Sequence, residues 1–129
     1  MKKLAFGLAA LAMTAVSATA QDGLENEKRT AYMNKLEGKR VVYIPMNMYA
    51  DLTIAWHAYL QRQAEELGYT VDLRDPNWST EAGARALTAA ISEKPDLIVL
   101  QNPDVQSYAR LIQQAQRQGL KVIQLNMES

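Results

Sequence analysis

Eleven residues of this chain have side chains suited to holding a small polar molecule: Asn47, Tyr49, Asp51, Asp75, Asn77, Trp78, Gln101, Asn102, Asp104, Asn126 and Glu128. They fall into four short clusters separated by long regular stretches. Amides donate and accept, and carboxylates accept, so together they can hydrogen-bond hydroxyl groups in both senses. An aromatic face can cover the C–H face of a pyranose. The set therefore fits a neutral sugar or polyol. Asn, Asp and Ser are also turn and helix-cap formers. For Asp104 and Ser79 that structural role weighs at least as much as a binding role. Tyr49 and Trp78 are not turn formers and carry more of the functional signal. Asn47, Tyr49, Asp51, Trp78, Asn102 and Asn126 are the binding candidates.

Most other chemistries lack their residues. The chain has no Cys, which excludes disulfides, thiolate nucleophiles, Cys-ligated zinc and lipid attachment to an N-terminal Cys. It has one His, so a His-rich metal site is impossible, and no metal or cofactor is expected. His57 sits at the edge of a helical apolar stripe, where a half-exposed histidine is the plain reading and a ligand contact the lesser one. Glu65 and Glu66 are adjacent and face different directions on a helix, so they are not a catalytic pair. No G-x-G-x-x-G or P-loop follows the first strand, and no G-x-S-x-G elbow is present. The first strand ends in Ile44-Pro45-Met46-Asn47-Met48 rather than in the acid cluster of a phosphoacceptor domain. No enzyme is expected. Lys+Arg and Asp+Glu are balanced at 14 each, without the basic excess of a nucleic-acid binder. The tripeptide Asn77-Trp78-Ser79 matches a glycosylation sequon, a coincidence in a chain with a bacterial-type export signal.

The elements that must position the clusters are legible from hydrophobic periodicity. Arg40–Ile44 reads as a strand ended by Pro45. Leu52–Leu67 reads as a helix with Leu52, Trp56, Tyr59, Leu60, Gln63 and Leu67 on one stripe, closed by Gly68. Thr70–Leu73 is a second strand. Ser79 caps a helix that runs to about Lys94, with Ala84, Leu87, Ala90 and Ile91 inward, before Pro95 ends it. Asp96–Leu100 is a continuous apolar run, as in a strand covered on both faces. Asp104 is expected to cap a helix over Val105–Gln118, with Val105, Tyr108, Ala109, Ile112 and Ala115 inward. Lys121–Leu125 is the fourth strand. This β-α-β-α-β-α-β order predicts an α/β fold, a doubly wound parallel sheet in three αβα layers. In such a sheet ligands bind beyond the carboxyl ends of the strands, which is where the four polar clusters lie.

Residues 1–20 read as a signal peptide. Lys2 and Lys3 precede an apolar run from Leu4 to Val16, too short to span a bilayer, and Ala18-Thr19-Ala20 offers cleavage after Ala20. The expected location is the periplasm. Loss of Lys2 and Lys3 leaves 12 basic against 14 acidic residues. Residues 21–39 read as a leader, a short amphipathic helix or a frayed segment stopped by Gly38. No later segment is apolar enough to cross a membrane.

The stretches VVYIPMN, AWHAYLQRQAEELGY, NWSTEAGARALTAAISEKPDLIVLQNPD and ARLIQQAQRQGLKVIQLN resemble, in order and spacing, the N-terminal lobe of type 1 periplasmic sugar-binding proteins, the ribose-binding-like group. The resemblance covers Arg40 to Asn126. It implies two lobes that close on a sugar or polyol and deliver it to an ABC permease in the inner membrane. The same lobe occurs in lactose-repressor-type regulators, which carry a DNA-binding helix-turn-helix where this chain carries an export signal. Asn102 stands where the family's Asn-Pro after the third strand often touches ligand. Asn126 stands where sugar binders usually have an Asp. The loop Met46–Leu52 departs from the family's Asn and Phe, so Tyr49 or Trp78 is expected to supply the stacking face. The resemblance further implies that residues 40–129 are one lobe, truncated before the second. A second reading is a periplasmic sensor or adaptor that presents a bound solute to a membrane receptor.

Overall fold

The computed structural model describes residues 27–127. The expected signal segment, its cleavage site and Glu128 lie outside the described residues. The element order is α1 (Glu27–Leu36), β1 (Arg40–Ile44), α2 (Asp51–Leu67), β2 (Thr70–Leu73), α3 (Thr80–Glu93), β3 (Leu97–Gln101), α4 (Ala109–Arg117) and β4 (Val122–Leu125). All pairings in the sheet are parallel, in the order β2-β1-β3-β4. The chain steps from β1 to β2 in one direction and then builds β3 and β4 in the other. The order therefore reverses between β1 and β3.

Strand alternation divides the core in two. Val42, Ile44, Ile98 and Leu100 point to one face, where Leu87, Ala90 and Ile91 of α3 and Ile112 and Ala115 of α4 cover them. Val41, Tyr43 and Val99 point to the other, against Trp56 and Leu60 of α2. This is the expected three-layer arrangement. Burial pushes the Tyr43 hydroxyl up to about 12, and its ring stacks on His57 with centroids 6.0 Å apart and planes 12° apart. His57 thus packs on the core beside Gln61, whose Nε2 lies 3.2 Å from its Nε2.

Local signals explain most boundaries. Gly68 ends α2 in the left-handed region, φ 75°, its N–H bonded to Ala64 O. Ser79 Oγ accepts from Ala82 N at 3.1 Å and starts α3. The leader resolves into α1, which packs on α2 and stops before Gly38, φ 72°.

Two expectations are corrected. The helix expected over Val105–Gln118 begins at Ala109. The Asp104 carboxylate accepts from Gln106 N and Ser107 N, both at 2.7 Å, and from the Ser107 hydroxyl. This Asx turn competes with helix initiation and delays it by a turn. It leaves Val105 54% exposed instead of inward. The stripe expected on α2 is also rotated. Leu52 and Tyr59 are exposed, and the buried positions are Thr53 and Ala64. The helix leans on the β2–β1 half of the sheet, with Thr53 and Ala64 buried and Trp56 and Leu60 packed on the core, while Leu52 and Tyr59 turn outward.

Opposite the strand ends, Glu93 at the close of α3 accepts from Arg74 at 2.5 Å and Arg40 at 2.9 Å. These bonds, first Arg74 and then Arg40, hold its carboxyl down to about 2. A carboxyl lowered in the folded state stabilises above its unfolded value, and that contribution is lost as pH falls through the folded value. Urea unfolding of the native chain is expected to weaken more steeply between pH 4.5 and about 2 than that of Glu93→Gln. Parallel pH profiles for the two would refute the link.

Candidate functional site

Because all four strands are parallel, the loops following β1, β2, β3 and β4 gather on one edge. The reversal of strand order puts the loops after β1 and β3 side by side with a crevice between them. The segment after β1 turns sharply into α2. Asn47 directs this turn: it is 1% exposed, and its Oδ1 accepts from Tyr49 N at 3.0 Å and Ala50 N at 2.8 Å. Gln101, buried at the end of β3, fixes the other end of the loop by accepting from Met46 N at 3.0 Å. Asp51 then opens α2 as an exposed acid in its first turn, where a negative charge meets the positive end of the helix.

The loop after β2 is held against this one. Trp78 N donates to Met46 O at 2.7 Å, and Asp75 Oδ1 accepts from Asn77 N at 2.8 Å. Asn77 and Trp78 are consecutive non-glycine residues in the left-handed region, φ 49° and 66°. Such a conformation persists only where surrounding contacts impose it. Here the result is that the indole stands clear of the core. Trp78 is 53% exposed and Tyr49 61% exposed, with ring centroids 6.4 Å apart at 57°. The two aromatics singled out from sequence, 29 residues apart, are thus brought together at the strand-end edge.

Asn102 follows β3 and is 0% exposed. Its Nδ2 donates to Gln124 Oε1 and to Met127 O, both at 2.7 Å, so it ties the end of β4 to the loop after β3. Its Oδ1 is buried without a partner. Asn126 is exposed, in the left-handed region at φ 69°, directly before the carbonyl that Asn102 holds. The six candidates therefore separate into two kinds. Tyr49, Asp51, Trp78 and Asn126 present side chains at the surface, and Asn47 and Asn102 shape the loops beneath them.

Two residues outside the candidate set also belong to this edge. Tyr108 is buried, and its hydroxyl donates to Thr80 O at 3.2 Å, joining the start of α4 to the start of α3 beside Trp78. Its ring crosses α3 at Gly83, where any Cβ would lie 1.9 Å from the hydroxyl. The one sequence signal was a glycine inside an otherwise good helix. Among the described residues, no group of three or more His, Cys, Asp or Glu is placed to hold a metal ion, and no helix is long and apolar enough to cross a membrane.

The family model described as a periplasmic binding protein domain matches residues 41–129. Among solved structures, the chain is similar to an ABC transporter solute-binding protein from Agrobacterium vitis with bound allitol. The two share 20% identity and a TM-score of 0.65, over 69% of this chain and 31% of that one. It is likewise similar to an ABC sugar transporter subunit from Rhodobacter sphaeroides, with 20% identity and a TM-score of 0.65 over 69% and 32% of the two chains. A third is LsrB from Clostridium saccharobutylicum in complex with AI-2, with 21% identity and a TM-score of 0.60 over 66% and 26%. The chain spans about a third or less of the length of these structures. The first two are, by name, components of ABC transporters. No curated protein sequence matches the chain.

Proposed function

Since the chain belongs to the periplasmic binding protein domain family, we propose that it is a solute-binding lobe of an ABC importer that takes a sugar or similar polyol at the carboxyl ends of its strands. The observation that carries this reading is the exposed Tyr49–Trp78 pair at that edge. Two amphipathic rings held out of the core offer a face for the C–H side of a sugar. Asp51 and Asn126 flank the pair with groups that accept from, or both donate to and accept from, hydroxyls. Asn47 and Asn102 act from below by fixing the loops on either side of the β1–β3 crevice. The similar proteins, one with bound allitol and one a sugar transporter subunit, support the same ligand class. Export is part of the proposal, with cleavage after Ala20 delivering the chain to the periplasm, where an inner-membrane permease is the partner.

The test uses tryptophan emission. In a Trp56→Phe background Trp78 is the remaining indole. Titration with a panel of neutral pentoses, hexoses and alditols, allitol included, is expected to shift or quench its emission saturably for at least one member. In isothermal titration calorimetry, which needs no indole, Trp78→Ala is then expected to weaken binding of that member by about tenfold, the scale of one lost stacking contact. An unchanged spectrum across the whole panel sinks the sugar reading.

A further inference from the structure

Gln101 is the last residue of β3, and only 6% of it is exposed. The strand before it is aliphatic, with Ile98, Val99 and Leu100 all buried. A carboxamide in such a place carries one acceptor and two donor N–H bonds that burial makes costly to leave unused. Gln101 uses the acceptor: its Oε1 takes the N–H of Met46 at 3.0 Å. Met46 stands two residues beyond the end of β1, so the amide bridges the ends of β1 and β3, where the strand order reverses. A backbone N–H only donates, so this bond fixes which way round the amide sits. Both N–H bonds of Nε2 are left over, and no described residue accepts from them. Nε2 is not sealed in either. Among the described residues, Asn102 Oδ1 is the one side-chain atom that is both buried and unpartnered. Asn47 is oriented in the same sense, its Oδ1 taken by Tyr49 N and Ala50 N. The amides of both residues therefore spend their oxygen on the backbone of one loop. A tie to that loop needs only the oxygen, which leaves the Gln101 donor unexplained by structure alone.

We propose that Gln101 is a further ligand-contacting residue of the strand-end site, a fixed N–H donor that seats one oxygen of the solute as an acceptor. The proposal rests on the solute-binding reading above. A hydroxyl, ring or carbonyl oxygen can take this bond, and an ammonium group cannot. The site thus favours an oxygen-bearing solute over a cationic one at this point. The donor is held in place by Met46 before any solute arrives, so little side-chain freedom is lost on binding. The same amide ties the loop after β1 and aims the donor, so the loop that carries Tyr49 and the oxygen contact are set in register by one residue.

The probes are the panel sugar that the native chain binds most tightly and its monodeoxy analogues, measured by calorimetry. If no panel member binds the native chain, the solute-binding reading fails and this proposal with it. Where one binds, the proposal stands or falls separately. One analogue is expected to bind the native chain about tenfold more weakly than the parent sugar, the scale of a lost hydrogen bond. With Gln101→Met that loss should vanish, because the donor that met the missing oxygen is already gone. Gln101→Glu keeps an oxygen for Met46 N and removes the donor, and circular dichroism checks that it folds. It should weaken the parent sugar at least as much as Gln101→Met does. A residue that only ties the loop predicts the reverse order, with Gln101→Met, which loses the tie, the weaker binder. That reverse order overturns the proposal. So does a set of analogues that each lose the same factor against the native chain and Gln101→Met, a comparison that holds even if Gln101→Glu does not fold.

Discussion

Gly83→Ala is expected to destabilise the lobe by about 2 kcal/mol, although alanine is the better helix former. In an exposed helix interior the change would be worth about 1 kcal/mol in favour of alanine. Here a Cβ would lie 1.9 Å from the Tyr108 hydroxyl and 2.9 Å from its Cζ. The ring is buried and its hydroxyl is bonded to Thr80 O, so it cannot swing away like the end of a surface side chain. Overpacking of this kind costs about 1–3 kcal/mol and occasionally more, and a contact this short belongs at the upper end. The clash outweighs the propensity. Urea unfolding of four proteins decides the matter: native, Gly83→Ala, Tyr108→Leu and the double variant. With the ring removed, the alanine should be neutral or stabilising. The same loss in both backgrounds would show that the contact is not the cause.

This contact also shows where sequence reading reaches its limit. The strands β1 and β2 are readable to the residue because their runs end in Pro45 and in the Arg74–Trp78 turn cluster, and the fold class follows from the alternation of elements. Ser79 and Gly68 are legible as caps because capping is a local interaction. Non-local contacts are not legible. Gly83 reads as a flaw in a helix until Tyr108, 25 residues on, is placed against it. Asp104 has the same sequence signature whether it caps a helix directly or closes an Asx turn before one, and only the turn's competing bonds decide. The stripe of α2 is visible as a stripe, yet its rotation depends on which half of the sheet the helix leans on. In the candidate site, residue types pointed to Tyr49 and Trp78, and the parallel sheet brought them together. The division of labour among the asparagines was hidden, because Asn is equally able to face a ligand or to hold a loop. Burial separates Asn47 and Asn102 from Asn126.

Asn102→Asp, a change of one group, is expected to cost about 4 kcal/mol at pH 7. The Asn102 amide donates two bonds of 2.7 Å, to Gln124 Oε1 and to the Met127 carbonyl, and the carbonyl has no proton to return. A carboxylate at the same place would set negative oxygen against the Met127 carbonyl and bury a charge. Leaving a buried hydrogen-bonding group unpaired costs about 1–3 kcal/mol, and more when the group is charged. The pH dependence separates charge from shape. Burial and the facing carbonyl would raise the introduced carboxyl above the unfolded value of about 3.9. For a carboxyl so raised, the deficit against the native chain is least below about pH 4, where the group is protonated in both states, and grows as pH rises through the folded value. Asn102→Leu loses the same bonds without gaining a charge, so its deficit should be nearly flat over that range. Equal deficits for the two variants at pH 7 would mean that the lost bonds alone set the cost. The comparison also bears on the edge of the crevice. Asn126 stands immediately before the carbonyl that Asn102 grips, so the Leu variant should loosen Asn126 and weaken the panel sugar's binding while leaving the Tyr49–Trp78 pair in place.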